Sequence, residues 1–165
     1  MYCRRKRNGA LMPKCYQLIG IPGSGKSTWA KNQEWIDECA WISTDQYVEE
    51  WAESFGKTYS EVFEEYMPTA VARMLGAVNG AKSIGKDIVW DQTSTTVKSR
   101  AKKFAMLPDY EHIAVVFKSP DADELLRRLN SRPGKVIPLD VIESMVKNFE
   151  LPTEEEGFTK IWLAS

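Results

Sequence analysis

No run of apolar residues approaches the roughly 20 that a membrane-spanning helix requires, so the sequence offers no candidate span. Histidine is nearly absent, with His112 alone, and the three cysteines, Cys3, Cys15 and Cys39, stand far apart. An odd count without a C-x-x-C pair argues against both a disulfide framework and a zinc site. The thiols are expected to be reduced, with Cys15 and Cys39 in or near strands. An excess of one charge is also missing: 22 Lys and Arg face 23 Asp and Glu, for a net charge of −1. Four of the positive residues, Arg4, Arg5, Lys6 and Arg7, sit at the very start, so the remainder is acidic on balance. A dedicated nucleic-acid binder usually carries a basic domain; this chain offers at most a local basic patch. The basic start lacks the apolar core of a secretion signal, and a cytoplasmic location is the expectation.

What is present suits one compact domain. The chain has 165 residues, 43% hydrophobic and 27% charged, without repeats or low-complexity segments, enough to bury a real core. Residues 1–12 read as a flexible basic tail, or as an arm that touches nucleic-acid phosphates. From residue 13 to 165 the pattern alternates short apolar strands with helices. Strands are expected at 16–20, 39–43, 88–91, 113–117 and 159–163. Helices are expected at 27–34, 45–53, 60–84, 97–106, 119–130 and 139–149. Pro68 should kink or restart the long helix, and Ser119-Pro120 should open the fifth with proline in its first turn. The class is α/β, in three layers, with a central parallel sheet covered by helices on both faces.

Gly20-Ile-Pro-Gly-Ser-Gly-Lys-Ser27 fits G-x-x-x-x-G-K-[ST] at every fixed position, between an expected strand and an expected helix. Glycines let backbone N–H groups close around phosphate oxygens, and the following helix start favours an anion. The candidate contacts to ATP are Gly20, Pro22, Gly23, Ser24, Gly25, Lys26, Ser27 and Thr28. Lys26 is expected to reach the β- and γ-phosphates, and Ser27 to ligate Mg²⁺.

Two aspartates follow expected strands, Asp45 after the second and Asp91 at the end of the third. Ligands of open α/β sheets sit at those ends. Asp45 is a candidate base for an acceptor hydroxyl, although it also suits a helix cap. Asp91 is a candidate partner of magnesium, or a cap or ion-pair residue. Downstream, Arg127-Arg-Leu-Asn-Ser-Arg132-Pro-Gly-Lys135 crosses between two helices. Arg132, on the loop, suits a lid over the triphosphate, with Arg128 a further nucleotide contact; Arg127 fits charge at a helix C-terminus. Lys98, Arg100, Lys102 and Lys103 read first as a solvated helix face and second as a basic face toward nucleic acid. Trp29, Trp35 and Trp41 read as core. Trp51, Phe55 and Tyr59 lie where an acceptor could dock, and His112 reads as structural.

These residues resemble the kinase domain of polynucleotide 5′-hydroxyl kinases, over about residues 15–163. The resemblance rests on the phosphate loop through Thr28-Trp29, on Ser43-Thr-Asp45-Gln-Tyr47 and on Asp91-Gln-Thr93. It also rests on Asn130-Ser-Arg132, Val136-Ile-Pro138 and Val141-Ile-x-x-Met145, and on the ending from Phe149 to Ile161. It implies Lys26, Asp45 and Arg132 as catalytic residues, Ser27 and Asp91 near Mg²⁺, and a 5′-hydroxyl end of DNA or RNA as acceptor. The chain departs from the family where Asn-Arg-Asp is usual and Ser43-Thr44-Asp45 stands. It departs again at Val48, where the phage enzyme has an arginine, and at Asp91-Gln-Thr93, where Asp-x-Asn is common. A phosphatase motif, Asp-x-Asp-Gly, is missing. Three expectations follow: a kinase of polynucleotide 5′ ends; a kinase of a nucleoside, a small molecule or a hydroxymethylated base in phage DNA; or an ATP-binding module without chemistry.

Overall fold

The computed structural model describes residues 6–7 and 9–164. Five strands build one parallel sheet: β3 (Lys14–Ile19), β4 (Ala40–Ile42), β5 (Ile88–Asp91), β6 (Glu111–Phe117) and β7 (Phe158–Ala164). Their order across the sheet is β4-β5-β3-β6-β7. Inside the segment expected to be a tail, β1 (Lys6–Arg7) pairs antiparallel with β2 (Ala10–Leu11). Cys3 lies outside the described residues.

Every residue of β3 and β6 is buried. Strands covered on both faces read as near-continuous apolar runs, and these do. Tyr16, Leu18, Val89, Ile113 and Val115 face one side, under α1 (Lys26–Lys31). Cys15, Ile88 and Trp90 face the other, against α3 (Tyr59–Ser83). Phe104 of α4 (Val97–Met106) packs beside Ile19, Ala114 and Phe158 on that side. This is the three-layer α/β arrangement that the alternation of elements predicts.

The two helices after β4 form a hairpin of their own. Val48 and Ala52 of α2 (Thr44–Ser54) pack on Val62, Tyr66 and Ala70 of α3. Trp51 lies flat on Tyr66, 4.6 Å between centroids and 4° between planes, so it is a packing residue and not a stacking platform. Val48 is fully buried in this layer, which removes position 48 from any acceptor contact. Gly56 makes the turn between the helices at φ 62°. Thr58 then caps α3 in a capping box with Glu61, worth about 1 kcal/mol.

Several boundaries differ from the sequence reading. Helix α3 runs through Pro68 without restarting. Pro68 is exposed, so water can satisfy the carbonyl that proline leaves unbonded. Helix α5 (Ala122–Asn130) begins after Asp121, whose carboxylate accepts from Glu124 N at 2.9 Å. A side chain that satisfies an orphan N–H outcompetes the preference of Pro120 for the first turn. Helix α6 (Leu139–Lys147) ends before Phe149, and its apolar side meets Ile21 and Leu125 through Ile142.

The four basic residues of α4 do not share one face: Lys98 and Lys102 are exposed, as on a solvated face, but the other two are not. Arg100 is fully buried and Lys103 is 5% exposed. Arg100 forks onto Glu156, Nε at 2.8 Å and Nη2 at 3.2 Å, and donates to the Ser94 carbonyl at 3.0 Å. Arginine's planar fork suits such bidentate pairing, and it ties α4 to the segment before β7. His112 is structural as expected. Its Nδ1 meets Gln17 Nε2 at 3.0 Å and its Nε2 meets the Leu107 carbonyl at 2.9 Å.

Candidate functional site

The glycine loop leaves β3, the central strand, at its carboxyl end and opens directly into α1. Gly20 N donates to the Thr93 carbonyl at 2.9 Å, which fastens the loop to the segment after β5. Gly25 has φ 92° and would strain any other residue. A Cβ on Gly20 would lie 2.5 Å from Ser24 Oγ, so the loop is closed tightly around its own backbone. Ser24 Oγ is buried without a partner. Lys26 Nζ folds back onto the carbonyls of Gly20 and Ile21, at 3.0 and 2.9 Å. An orphaned hydroxyl in a glycine cradle, with an ammonium leaning over it, suits a phosphate site.

Burial pushes the Lys26 ammonium down to about 8, with the charges of Asp91, Arg132, Asp45 and Lys135 acting on it. Those four side chains come from three separate segments, α2, the end of β5 and the loop after α5, and all of them line one cavity with the cradle. Asp91 ends β5, and its Oδ2 accepts from Ser27 Oγ at 2.6 Å. Burial raises the Asp91 carboxyl above its usual value, against the Ser27 hydrogen bond and the attraction of Lys26.

Asp45 stands in the first turn of α2. Its Oδ1 accepts from the Tyr59 hydroxyl at 2.7 Å, and its Oδ2 pairs with Lys135 Nζ at 2.9 Å. Burial would raise this carboxyl, but Lys135, Tyr59 and Lys26 outweigh it and hold it below the usual carboxylate value. The two aspartates are thus driven in opposite directions. Neither serves as the N-terminal cap by side chain: the cap of α2 is Ser43, and no side-chain cap bond forms there.

Lys135 and Tyr59 are partners of Asp45 that sequence reasoning did not supply. Lys135 Nζ also lies over the Tyr59 ring at 4.3 Å. The loop carrying Lys135 is docked: Ser60 N donates to the Gly134 carbonyl at 3.0 Å, and Ser60 Oγ accepts from Val136 N at 2.9 Å. Gly134, at φ 72°, leaves no room for a Cβ, which would meet Thr58 at 2.6 Å. Gly134→Ala is therefore expected to undock the loop. A strain of about 1–3 kcal/mol speeds hydrogen exchange at the Ser60 amide roughly 5- to 150-fold, and unchanged exchange would refute the docking.

The two candidate nucleotide-contacting arginines differ. Arg128 spends its donors on Glu124 at 2.6 Å and on the Gly23 carbonyl at 3.0 Å, so it braces the cradle. The Arg132 guanidinium makes no hydrogen bond or ion pair among the described residues, and Arg132 lines the cavity near Lys26. Arg127 pairs with Glu124 at the surface.

Parallel sheet, cradle and facing carboxylates define a P-loop kinase-like, ATP-binding domain. Residues 17–152 match the AAA domain family, and the chain belongs to that family. The chain is 32% identical over 154 residues to a protein of Acanthamoeba polyphaga mimivirus provisionally named a bifunctional polynucleotide phosphatase/kinase. It is 27% identical over 149 residues to the bifunctional polynucleotide phosphatase/kinase of Schizosaccharomyces pombe. Each alignment covers 87% of this chain and 31% of the relative, so the chain spans about a third of the relatives' length. Among solved structures, one from Chloroflexus aurantiacus, provisionally described as a kinase, superposes at TM-score 0.67 with 17% identity, covering 93% of this chain and 85% of that one. A gluconokinase of Sinorhizobium meliloti superposes at TM-score 0.53 with 17% identity, covering 92% and 82%. The fold is thus shared with kinases of small molecules as well as with polynucleotide kinases. No helix among the described residues is long and apolar enough to cross a membrane.

Proposed function

We propose that the protein transfers the γ-phosphoryl group of ATP to the hydroxyl of a small acceptor held between α2, α3 and the loop at 131–138. The observation that carries this reading is the convergence of Asp45, Asp91 and Arg132 on Lys26 at the mouth of the cradle. A module that only senses nucleotide requires neither a facing carboxylate nor an unengaged arginine.

In this reading Lys26, the backbone of residues 20–28 and Arg132 hold the triphosphate. Ser27 Oγ and the Asp91 carboxylate, 2.6 Å apart, are hard oxygen donors suited to Mg²⁺. The ion, when bound, neutralises charge on the β- and γ-phosphate oxygens. The acceptor oxygen bonds to the γ-phosphorus as the bond from that phosphorus to the β–γ bridging oxygen breaks. Asp45 orients the acceptor hydroxyl and takes its proton. Each carboxylate oxygen has two acceptor positions, so Tyr59 and Lys135 leave room for the substrate O–H. Arg132 meets the charge that grows on the transferred group.

The acceptor side of the cavity favours a small molecule. Glu49, Glu53, Glu61 and Glu64 line it beside Lys57 and Lys135, and an excess of carboxylates repels a chain of phosphates. The burial of Val48 in the α2–α3 core agrees with this. The second reading, a 5′-hydroxyl end of DNA or RNA, draws its support from the likeness to two polynucleotide phosphatase/kinases. A single screen of phosphate transfer from γ-labelled ATP separates them. Labelling of small hydroxylated acceptors without labelling of 5′-hydroxyl oligonucleotides is the expected result. Labelling of oligonucleotides alone favours the second reading, and no labelling of either class refutes both.

A further inference from the structure

Lys103 is unlike the other buried charges. It sits on α4, 5% exposed, and lines the same cavity, as do Gln92, Ser94 and Ser99. Arg100, one turn away, has Glu156 as its counter-ion. Lys103 has none: among the described residues no carboxylate or hydrogen-bond acceptor meets its ammonium. Its one ring contact is Trp90, with Nζ 5.3 Å from the centroid. Burial pushes the ammonium down to about 8; Cys15 favours its charge while Arg100 and Lys102 oppose it. Burial also pushes the Cys15 thiol up, so it stays protonated and is no counter-ion. A buried ammonium without a partner is strongly unfavourable, and methionine would fill the same space without that penalty.

A second feature belongs to the same cavity. Ser94 Oγ is buried and has no hydrogen-bond partner. Ser94 also holds φ 48°, the only positive φ of a non-glycine residue among those described. An unpartnered donor and an uncompensated cation therefore line the same cavity. Trp90, the ring beside Lys103, is linked to the reacting end of the site. Trp90 Nε1 donates to Gln92 Oε1 at 3.0 Å, and Gln92 Nε2 donates to Thr44 Oγ1 at 3.4 Å, beside Asp45 in the chain.

We propose that Lys103 and Ser94 form an oxyanion pocket for the acceptor, which is then a hydroxyl compound carrying a single carboxylate or phosphate group. This inference rests on the phosphotransferase reading for the word acceptor, but the pocket can be tested without any transfer. The glutamates of α2 and α3 and the Lys103 ammonium have different tasks: the former repel a polyanion, and the latter retains a single anionic group.

The test fills the cradle with a magnesium complex of a non-hydrolysable ATP analogue, so that added anions cannot enter it. Inorganic phosphate and acetate are then titrated separately, and backbone amide shifts are followed by NMR. Saturable binding with shifts confined to residues 92–103 is expected, and the tighter of the two anions identifies the group. Lys103→Met is expected to weaken that binding about 10- to 100-fold, the value of a lost charge-assisted hydrogen bond. It should leave nucleotide affinity unchanged and Tm unchanged or raised. Lys103→Arg should retain binding. Absence of saturable binding by either anion overturns the proposal, as does equal affinity in Lys103→Met. A lowered Tm with unaltered binding would make Lys103 structural and also overturn it. Should Lys103→Met not fold, Ser94→Ala decides: it removes an unpartnered hydroxyl, so it should fold and bind phosphate less tightly, and undiminished binding refutes the pocket. Failure here leaves phosphoryl transfer standing, whereas a failed acceptor screen does not touch the anion titration.

Discussion

Asp45→Asn is expected to slow phosphoryl transfer by about 10²- to 10⁴-fold, the usual contribution of a positioned general base, while nucleotide binding stays intact. Asparagine keeps the shape and can still accept from the Tyr59 hydroxyl, which stands at 2.7 Å from Oδ1. What it loses is the capacity to take a proton. It also loses the charge that pairs with Lys135, whose side chain is 11% exposed and retains Glu49 at 3.5 Å. Asp45 is half-exposed, so this pair contributes at most about 1 kcal/mol to stability. Tm should therefore change little, and a loss of activity would not trace to unfolding. Single-turnover transfer from γ-labelled ATP beside equilibrium nucleotide binding separates the two effects. Transfer within a few-fold of the wild type would remove Asp45 from the chemistry.

Arg132→Ala should cost about 10³-fold in transfer, at the lower end of what an arginine on the transferring phosphoryl group supplies. The argument is one of availability. The Arg132 side chain has no hydrogen-bond or ion-pair partner among the described residues, lines the cavity and acts on Lys26. Arg128 already donates to Glu124 and Gly23, so its five N–H groups are partly spent. Arg128→Ala is expected to loosen the cradle and weaken nucleotide binding more than it slows transfer. A reversal of the two phenotypes, with Arg128→Ala the slower enzyme, would exchange their roles.

The parts of the site that lie close in sequence were legible. The cradle is one continuous segment, and its glycines, Lys26 and Ser27 announce their chemistry by spacing alone. Asp45 and Asp91 were legible because strand ends can be recognised from short apolar runs, and those ends share one edge of a parallel sheet. The fold class followed from the same alternation. Tyr59 and Lys135 were not legible as partners of Asp45. They stand 14 and 90 residues from it, and nothing local demands that a tyrosine or a lysine turn toward a particular carboxylate.

Charge on a helix was the least readable property. Lys98, Arg100, Lys102 and Lys103 look alike in the sequence, yet Arg100 and Lys103 are buried while Lys98 and Lys102 are exposed. Positions 100 and 103 are three apart, so they share the inward side of α4, and 98 and 102 share the outward one. Period alone gives two faces. Which of them meets the sheet is decided by Glu156, 56 residues away, and by the Trp90 wall.

By itself, then, the sequence determined a nucleotide cradle on a three-layer α/β domain, because strand, glycine loop and helix are consecutive and each rests on local backbone preference. Only the tertiary structure decided which side chains face that cradle. Burial and pairing are set by contacts between distant segments, where desolvation makes an unpaired charge costly and a matched one stable. It is in that layer that Lys135 holds Asp45, that Arg132 stays unengaged, and that Lys103 waits without a counter-ion.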